Sequence, residues 1–370
     1  MTDPLTRLLR LCALPGALLL AACGSDSDPA PPTQPTRALV ALYGTGELVA
    51  LSLEDGSIVD TLAPAYRPND VAVRGDLARA VSLSGDDGMV EEIDLSGATL
   101  AASGNETDAL YDWYPFTASY GGNAVAVASW GYEAFGLWTP PAAGQLIALE
   151  NGSSMWDVAS NADGTRFFFA DYGGKGAVFV TDGAGALLDE FFLDDLPVEA
   201  ASSSSPVALA VSPDGGRLYV ANYRTDFTEA ADDLMVFDVA PDGMLAFVKR
   251  VFLKDADDDA IAADLYDSHG MTVSPDGSEV WIAYDRSAAG GGGVAVYQTA
   301  TDRVDLVPFG GDAYPCEIAL DWAGGKAYLP GTDYSSGDGT DEIVVVDVAT
   351  LAVTSIPLPA DSDPTGIALY

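Results

Sequence analysis

The stretch VSPDGGRLYVANY at 211–223 returns, little changed, as VSPDGSEVWIAYD at 273–285. Aligned on its turn glycine, the unit recurs six times: at Gly75, Gly121, Gly164, Gly215, Gly277 and Gly324. The spacings are 46, 43, 51, 62 and 47 residues, periods that suit propeller blades or two-helix repeats. Composition decides between these two. Each unit carries short alternating or β-branched runs, such as LYVANY, LMVFDVA and EIVVVDVA, broken by Gly, Asp and Asn turns. No long run has apolar residues at helical spacing. In Pro-Asp-Gly, Pro presets φ, Asp caps locally and Gly accepts positive φ, so the motif recurs because every blade reverses direction there.

The two ends fix the blade number. RALVALYGTGELVALSLEDGSIVDTL, from Arg37, supplies strands B, C and D with no strand A before them, and the chain closes on DPTGIALY, a strand A with nothing after it. Joined, they form a composite blade that leaves no sheet edge open in the ring. Six full units plus this one predict an all-β fold: a seven-bladed β-propeller of four antiparallel strands per blade over residues 37–370. The pattern resembles the YVTN-type propeller repeat, with LYVANY as the nearest match. That resemblance implies fold and leaves function open, since such propellers serve as enzymes, binding platforms and scaffolds.

The N-terminus reads as a targeting segment. Arg7 and Arg10 precede a short apolar run, LCALPGALLLAA, that ends in small residues. Leu20-Ala21-Ala22-Cys23 resembles the lipobox of bacterial lipoproteins. The resemblance implies a signal peptide over 1–22, lipidation at Cys23 and a cell-envelope location held through the lipid anchor alone. Gly24, with no Asp in that position, is similar to the outer-membrane sorting pattern of Gram-negative organisms. Residues 23–36 read as a lipidated Cys and flexible tether. Cys12 would leave with the signal, so Cys316 is the one free thiol and no internal disulfide forms.

With 16 Lys and Arg against 56 Asp and Glu, the chain carries a net charge of −40, spread over its length. Such a surface repels phosphate backbones, which excludes nucleic acid as a partner, and attracts cations and basic proteins. A monomer is expected. The A–B and C–D connections are tight, whereas the D–A and B–C connections include long ones, among them 103–115, 193–206, 223–233, 253–269, 284–293 and 331–342. They share one rim, where a protein, glycan or small-molecule ligand would bind.

Three sets of residues carry candidate chemistry. The two positions after the usual Pro of strand A fall near the axial channel mouth, bringing Asp70, Asp157, His269, Cys316 and Glu317 together; imidazole, thiolate and carboxylate form a ligand set for zinc or another divalent metal. Related propellers also carry His-Gly there as part of the repeat, and Cys is commonly a small core residue. Asp255, Asp257 and Asp259 form a D-x-D-x-D run that suits calcium, although Ala260 and Tyr266 break the EF-hand pattern; the alternative is a solvated acidic loop. Trp113, Tyr114 and Trp156 are candidates for stacking on a ligand at the rim. No G-x-S-x-G elbow, phosphate-cradling loop or multi-His site is present. The favoured expectation is a non-catalytic, envelope-anchored binding propeller; the alternative is a metal-dependent, lactonase-like hydrolase at the channel mouth.

Overall fold

The computed structural model describes residues 34–370 except 75–76, 109–113, 131–132, 153, 174–175, 197–203, 225–231, 258–261, 266–269, 288–290, 310–312, 316 and 333–338. Strand B of each blade is where the sequence is most apolar. In blade 4, Arg166–Asp171 (RFFFAD) places Phe167 and Phe169 against blade 3 and Phe168 against blade 5. Side chains alternate across a strand, so a run buried on both faces must be apolar at every position. All three rings are fully buried, each worth about 3 kcal/mol of transfer free energy. Phe135 and Phe169 meet across blades 3 and 4 with centroids 4.1 Å apart. Outer strands such as Ala101–Thr107 are mostly exposed, so they tolerate polar sequence.

Seven four-stranded antiparallel sheets result. Blade 1 pairs the C-terminal strand Pro364–Leu369 with Arg37–Leu42, followed by Glu47–Ser52 and Ile58–Leu62. Leu42 faces Pro364 and Ala38 faces Leu369, and Tyr370 and Arg37 exchange backbone hydrogen bonds of 2.9 and 3.1 Å. The predicted composite blade is therefore present. Blades 2 to 7 follow in chain order, their A strands at Asp70–Arg74, Tyr114–Gly121, Met155–Ser160, Ser204–Val211, Met271–Val273 and Ala319–Asp321.

Two sequence expectations shift. The turn residues with positive φ in blades 3 and 7 are Gly122 (58°) and Gly325 (68°), one place after the aligned glycines; in blade 2 Ala78 takes that conformation (49°). In blades 3 and 7 the turn holds a Gly-Gly pair, of which only the second member sits in the left-handed region. The long loops are also shorter than their sequences suggest. Residues 103–107 belong to a D strand, and Ala263–Asp264 pairs with Arg286–Ser287 as a two-residue ribbon. Polar composition there reflects edge exposure, with the backbone still paired.

Candidate functional site

The inner strands of all seven blades line an axial cavity of about 360 Å³. Its wall mixes aliphatic residues with hydroxyls, Thr117, Ser119 and Ser160 among them. At the end shared with the D–A connections stand Asp70, Asp157 and Glu317, one from each of blades 2, 4 and 7. These three carboxyls line one cavity. His269 and Cys316 lie outside the described residues.

A recurrent β-bulge at the start of strand A aims Asp157. Strand A of blades 3, 4 and 5 shifts register between Pro115 and Thr117, Met155 and Asp157, and Pro206 and Ala208, and blade 1 does so around Thr365. In blade 2 the Asn69 N–H donates to the Leu83 carbonyl, and Leu83 also faces Asp70. An extra residue re-aims the side chains around it. Of the two positions after the usual Pro, the first packs inside the blade in blades 2, 4, 5 and 1: Asn69, Trp156, Val207 and Thr365 are buried, and none lines the cavity. Asp70, Thr117, Asp157 and Glu317, the second members in blades 2, 3, 4 and 7, line the lumen.

Trp156 is accordingly a core residue. It stacks on Tyr172 with centroids 4.8 Å apart and an interplanar angle of 28°, inside a cluster with Val207, Tyr223 and Met271. Trp113 lies outside the described residues, and of Tyr114 only the backbone is described, paired with Trp130. Trp130 is the exposed ring of that region, at 52%.

The carboxyls are hydrogen-bonded as well as convergent. Asp157 Oδ1 accepts from the Val158 N–H (2.7 Å) and the Thr117 hydroxyl (3.0 Å), and its Oδ2 accepts from the Leu209 N–H (2.7 Å). One side chain thus ties blades 3, 4 and 5. Asp70 accepts from the N–H groups of Val71 and Ala118, joining blades 2 and 3. Glu317 Oε1 accepts from Ile318 N–H at 2.9 Å. Gly366 of blade 1 packs so closely on Asp70 that a Cβ there would lie 2.8 Å from the Asp70 Cα.

Burial dominates the electrostatics. Desolvation, followed for Asp70 by its neighbour Asp157, pushes Asp70 up to about 7; desolvation also raises Asp157 to about 7. Glu317 rises well above the carboxylate range through desolvation and then the charge of Asp70. At neutral pH the group therefore holds fewer than three charges and offers both proton donors and acceptors.

The fit to a metal is poor among the described residues. No group of three or more Asp, Glu, His or Cys side chains is arranged to hold an ion. Asp157 spends both oxygens on protein donors. The D-x-D loop is similarly engaged: Asp255 accepts from the N–H groups of Leu306 and Asp257 at 2.9 Å each, and the Asp257 carboxylate pairs with Arg303 at 2.6 Å. Asp259 lies outside the described residues. Sequence reasoning missed the hydroxyl lining of the lumen, because a Ser or Thr in an inner strand carries no periodic signal of its own.

No family model matches the chain, and no curated protein matches it in sequence. Solved structures do. Kuenenia stuttgartiensis hydrazine synthase superposes with a TM-score of 0.63 at 16% identity, over 85% of this chain and 93% of that one. A Pseudomonas aeruginosa periplasmic gluconolactonase gives 0.62 at 17%, over 90% and 98%. A candidate 6-phosphogluconolactonase from Bacteroides fragilis gives 0.64 at 18%, over 93% and 100%. At these identities the likeness is one of architecture: the chain is a seven-bladed β-propeller, a fold also found in lactonase-like proteins.

Proposed function

We propose that this protein is an envelope-anchored binding propeller of the YVTN-repeat kind, taking a small donor-rich ligand (an amine or a polyhydroxylated molecule) at the acidic mouth of its axial channel. One observation carries the reading: three enclosed carboxyls from three blades meet at one end of a polar cavity of about 360 Å³, a size that suits a small ligand. Hydroxyl or ammonium groups on the ligand satisfy carboxylate oxygens, while protonated carboxyls and the lumen hydroxyls donate in return. A net charge of −40 disfavours phosphorylated or otherwise anionic ligands. Lipidation at Cys23 would hold the domain at the membrane surface. Among the described residues no helix is long and apolar enough to cross a bilayer.

Calorimetric titration of the purified chain with glucose, putrescine, gluconolactone and calcium tests this. Binding of an amine or polyol that is lost in Glu317→Gln supports it; absence of binding by every probe, or binding indifferent to Glu317→Gln, removes it. A second reading, lactone hydrolysis, is favoured by the two carboxyls titrating near 7, where a general acid or base works best, and by the lactonase-like propellers of the same fold. Gluconolactone turnover in a pH-stat, abolished by Asp70→Asn, would establish it.

A further inference from the structure

The twin motifs that open the sequence sit in adjacent blades, and together they frame a groove of about 560 Å³ between blades 5 and 6, on the face opposite the acidic mouth. Asp214 and Asp276 stand on its two lips. Each uses Oδ1 within its own turn: Asp214 accepts from the Ser212 hydroxyl (2.6 Å) and Gly216 N–H (3.0 Å), and Asp276 from the Ser278 hydroxyl (2.6 Å) and N–H (3.0 Å). Those donors hold both carboxyls below the usual range, so they stay ionised, and neither Oδ2 takes a hydrogen bond from the described protein. Arg217 and Lys249 line the same groove, two of only 16 basic residues in the chain.

The floor supplies an independent sign. Tyr219 lines the groove while its residue is only 4% exposed, and its hydroxyl makes no hydrogen bond with the described residues. That oxygen is not sealed in the core, so it opens to the groove, where a ligand or water completes it. We infer that this groove binds a sugar ring of a neutral glycan, with the Tyr219 hydroxyl on its floor as the anchor. Ring hydroxyls donate to Oδ2 of Asp214 and Asp276 and accept from Arg217 and Lys249, while Val248 meets the apolar edge of the ring. Mixed acceptors and donors suit hydroxyl groups, which do both. Neither a simple anion nor a simple cation would use the whole set.

Saturation-transfer NMR on the purified chain with glucose, galactose, N-acetylglucosamine, maltose and cellobiose tests the site. At least one sugar should bind, and Tyr219→Phe should weaken it about tenfold, the worth of one hydrogen bond. The same substitution should leave the melting temperature unchanged, because the hydroxyl has no partner among the described residues to lose. Asp276→Ala should weaken binding too. The inference is overturned if no sugar of the panel binds, or if binding ignores both Tyr219→Phe and Asp276→Ala. Sugar binding lost in Glu317→Gln alone would move the ligand to the channel mouth.

Discussion

Asp157 and Asp276 are the same residue type at opposite ends of strand A, in blades 4 and 6, yet their protons behave in opposite ways. Asp157 sits in the enclosed mouth, where desolvation outweighs its three donors and lifts it to about 7. Asp276 sits on the opposite, tight-turn face, where the Ser278 hydroxyl and N–H stabilise its charge and outweigh the slight desolvation. Hydrogen bonds alone therefore do not decide ionisation; the water removed around them does. The lesson is that an acidic chain can keep one face charged for solubility and another half-neutral for contact.

The largest test of this contrast is the pH dependence of stability. The folded values of Asp70, Asp157 and Glu317 lie above the ordinary value of about 4, so between about 4 and 7 the native state holds more protons than the unfolded chain. Stability should thus fall as pH rises through that window, by several kcal/mol at most. The depressed turn carboxyls act oppositely: their contribution is present above about 4 and lost as pH falls below it. Urea unfolding across pH should show an optimum near 4 to 5, and Glu317→Gln should flatten the neutral limb. A curve flat from 4 to 8 in the wild type would show the mouth to be solvated.

Next in size is Asp157→Ala. It leaves the Thr117 hydroxyl and the N–H groups of Val158 and Leu209 without their acceptor across three blades, at a cost of about 3 kcal/mol in urea unfolding. Asp157→Asn keeps an acceptor at Oδ1 and should lose about half as much. If both variants match the wild type, the inter-blade tie is not what holds the mouth together. Gly366→Ala sharpens the point from the other side. Its Cβ would lie 2.8 Å from the Asp70 Cα and 3.0 Å from Val71 N, so backbone must move, at about 2 kcal/mol.

Much of this contrast is legible in the sequence and part is not. The repeat, the split blade and the meeting of Asp70, Asp157 and Glu317 follow from spacing, because each blade begins its inner strand at the same place. The bulge does not follow. It sends Trp156 into the core and Asp157 into the lumen, and nothing in MWD distinguishes a bulged strand from a regular one. The roles of the carboxyls as ties between blades were equally hidden, since the partners of Asp157 lie 40 and 52 residues away. The Asp255 and Asp257 pair illustrates the same limit. A run of acids reads as a cation loop until Leu306 and Arg303 are seen to claim it.

The smallest effect belongs to the exposed turn. Asp276→Ala removes an acceptor from Ser278 on a surface hairpin where water can replace it, so the melting temperature at pH 7 should fall by only about 2 °C. What should change is the acid limb: with no depressed carboxyl at that turn, stability should decline less steeply below pH 4 than in the wild type. Asp157→Ala should leave that limb intact and remove part of the neutral one. Parallel melting curves for the two variants at pH 3, 5 and 8 therefore separate the faces. Should both substitutions bend the same limb, burial would not be the variable that distinguishes them, and the half-neutral mouth would lose its physical basis.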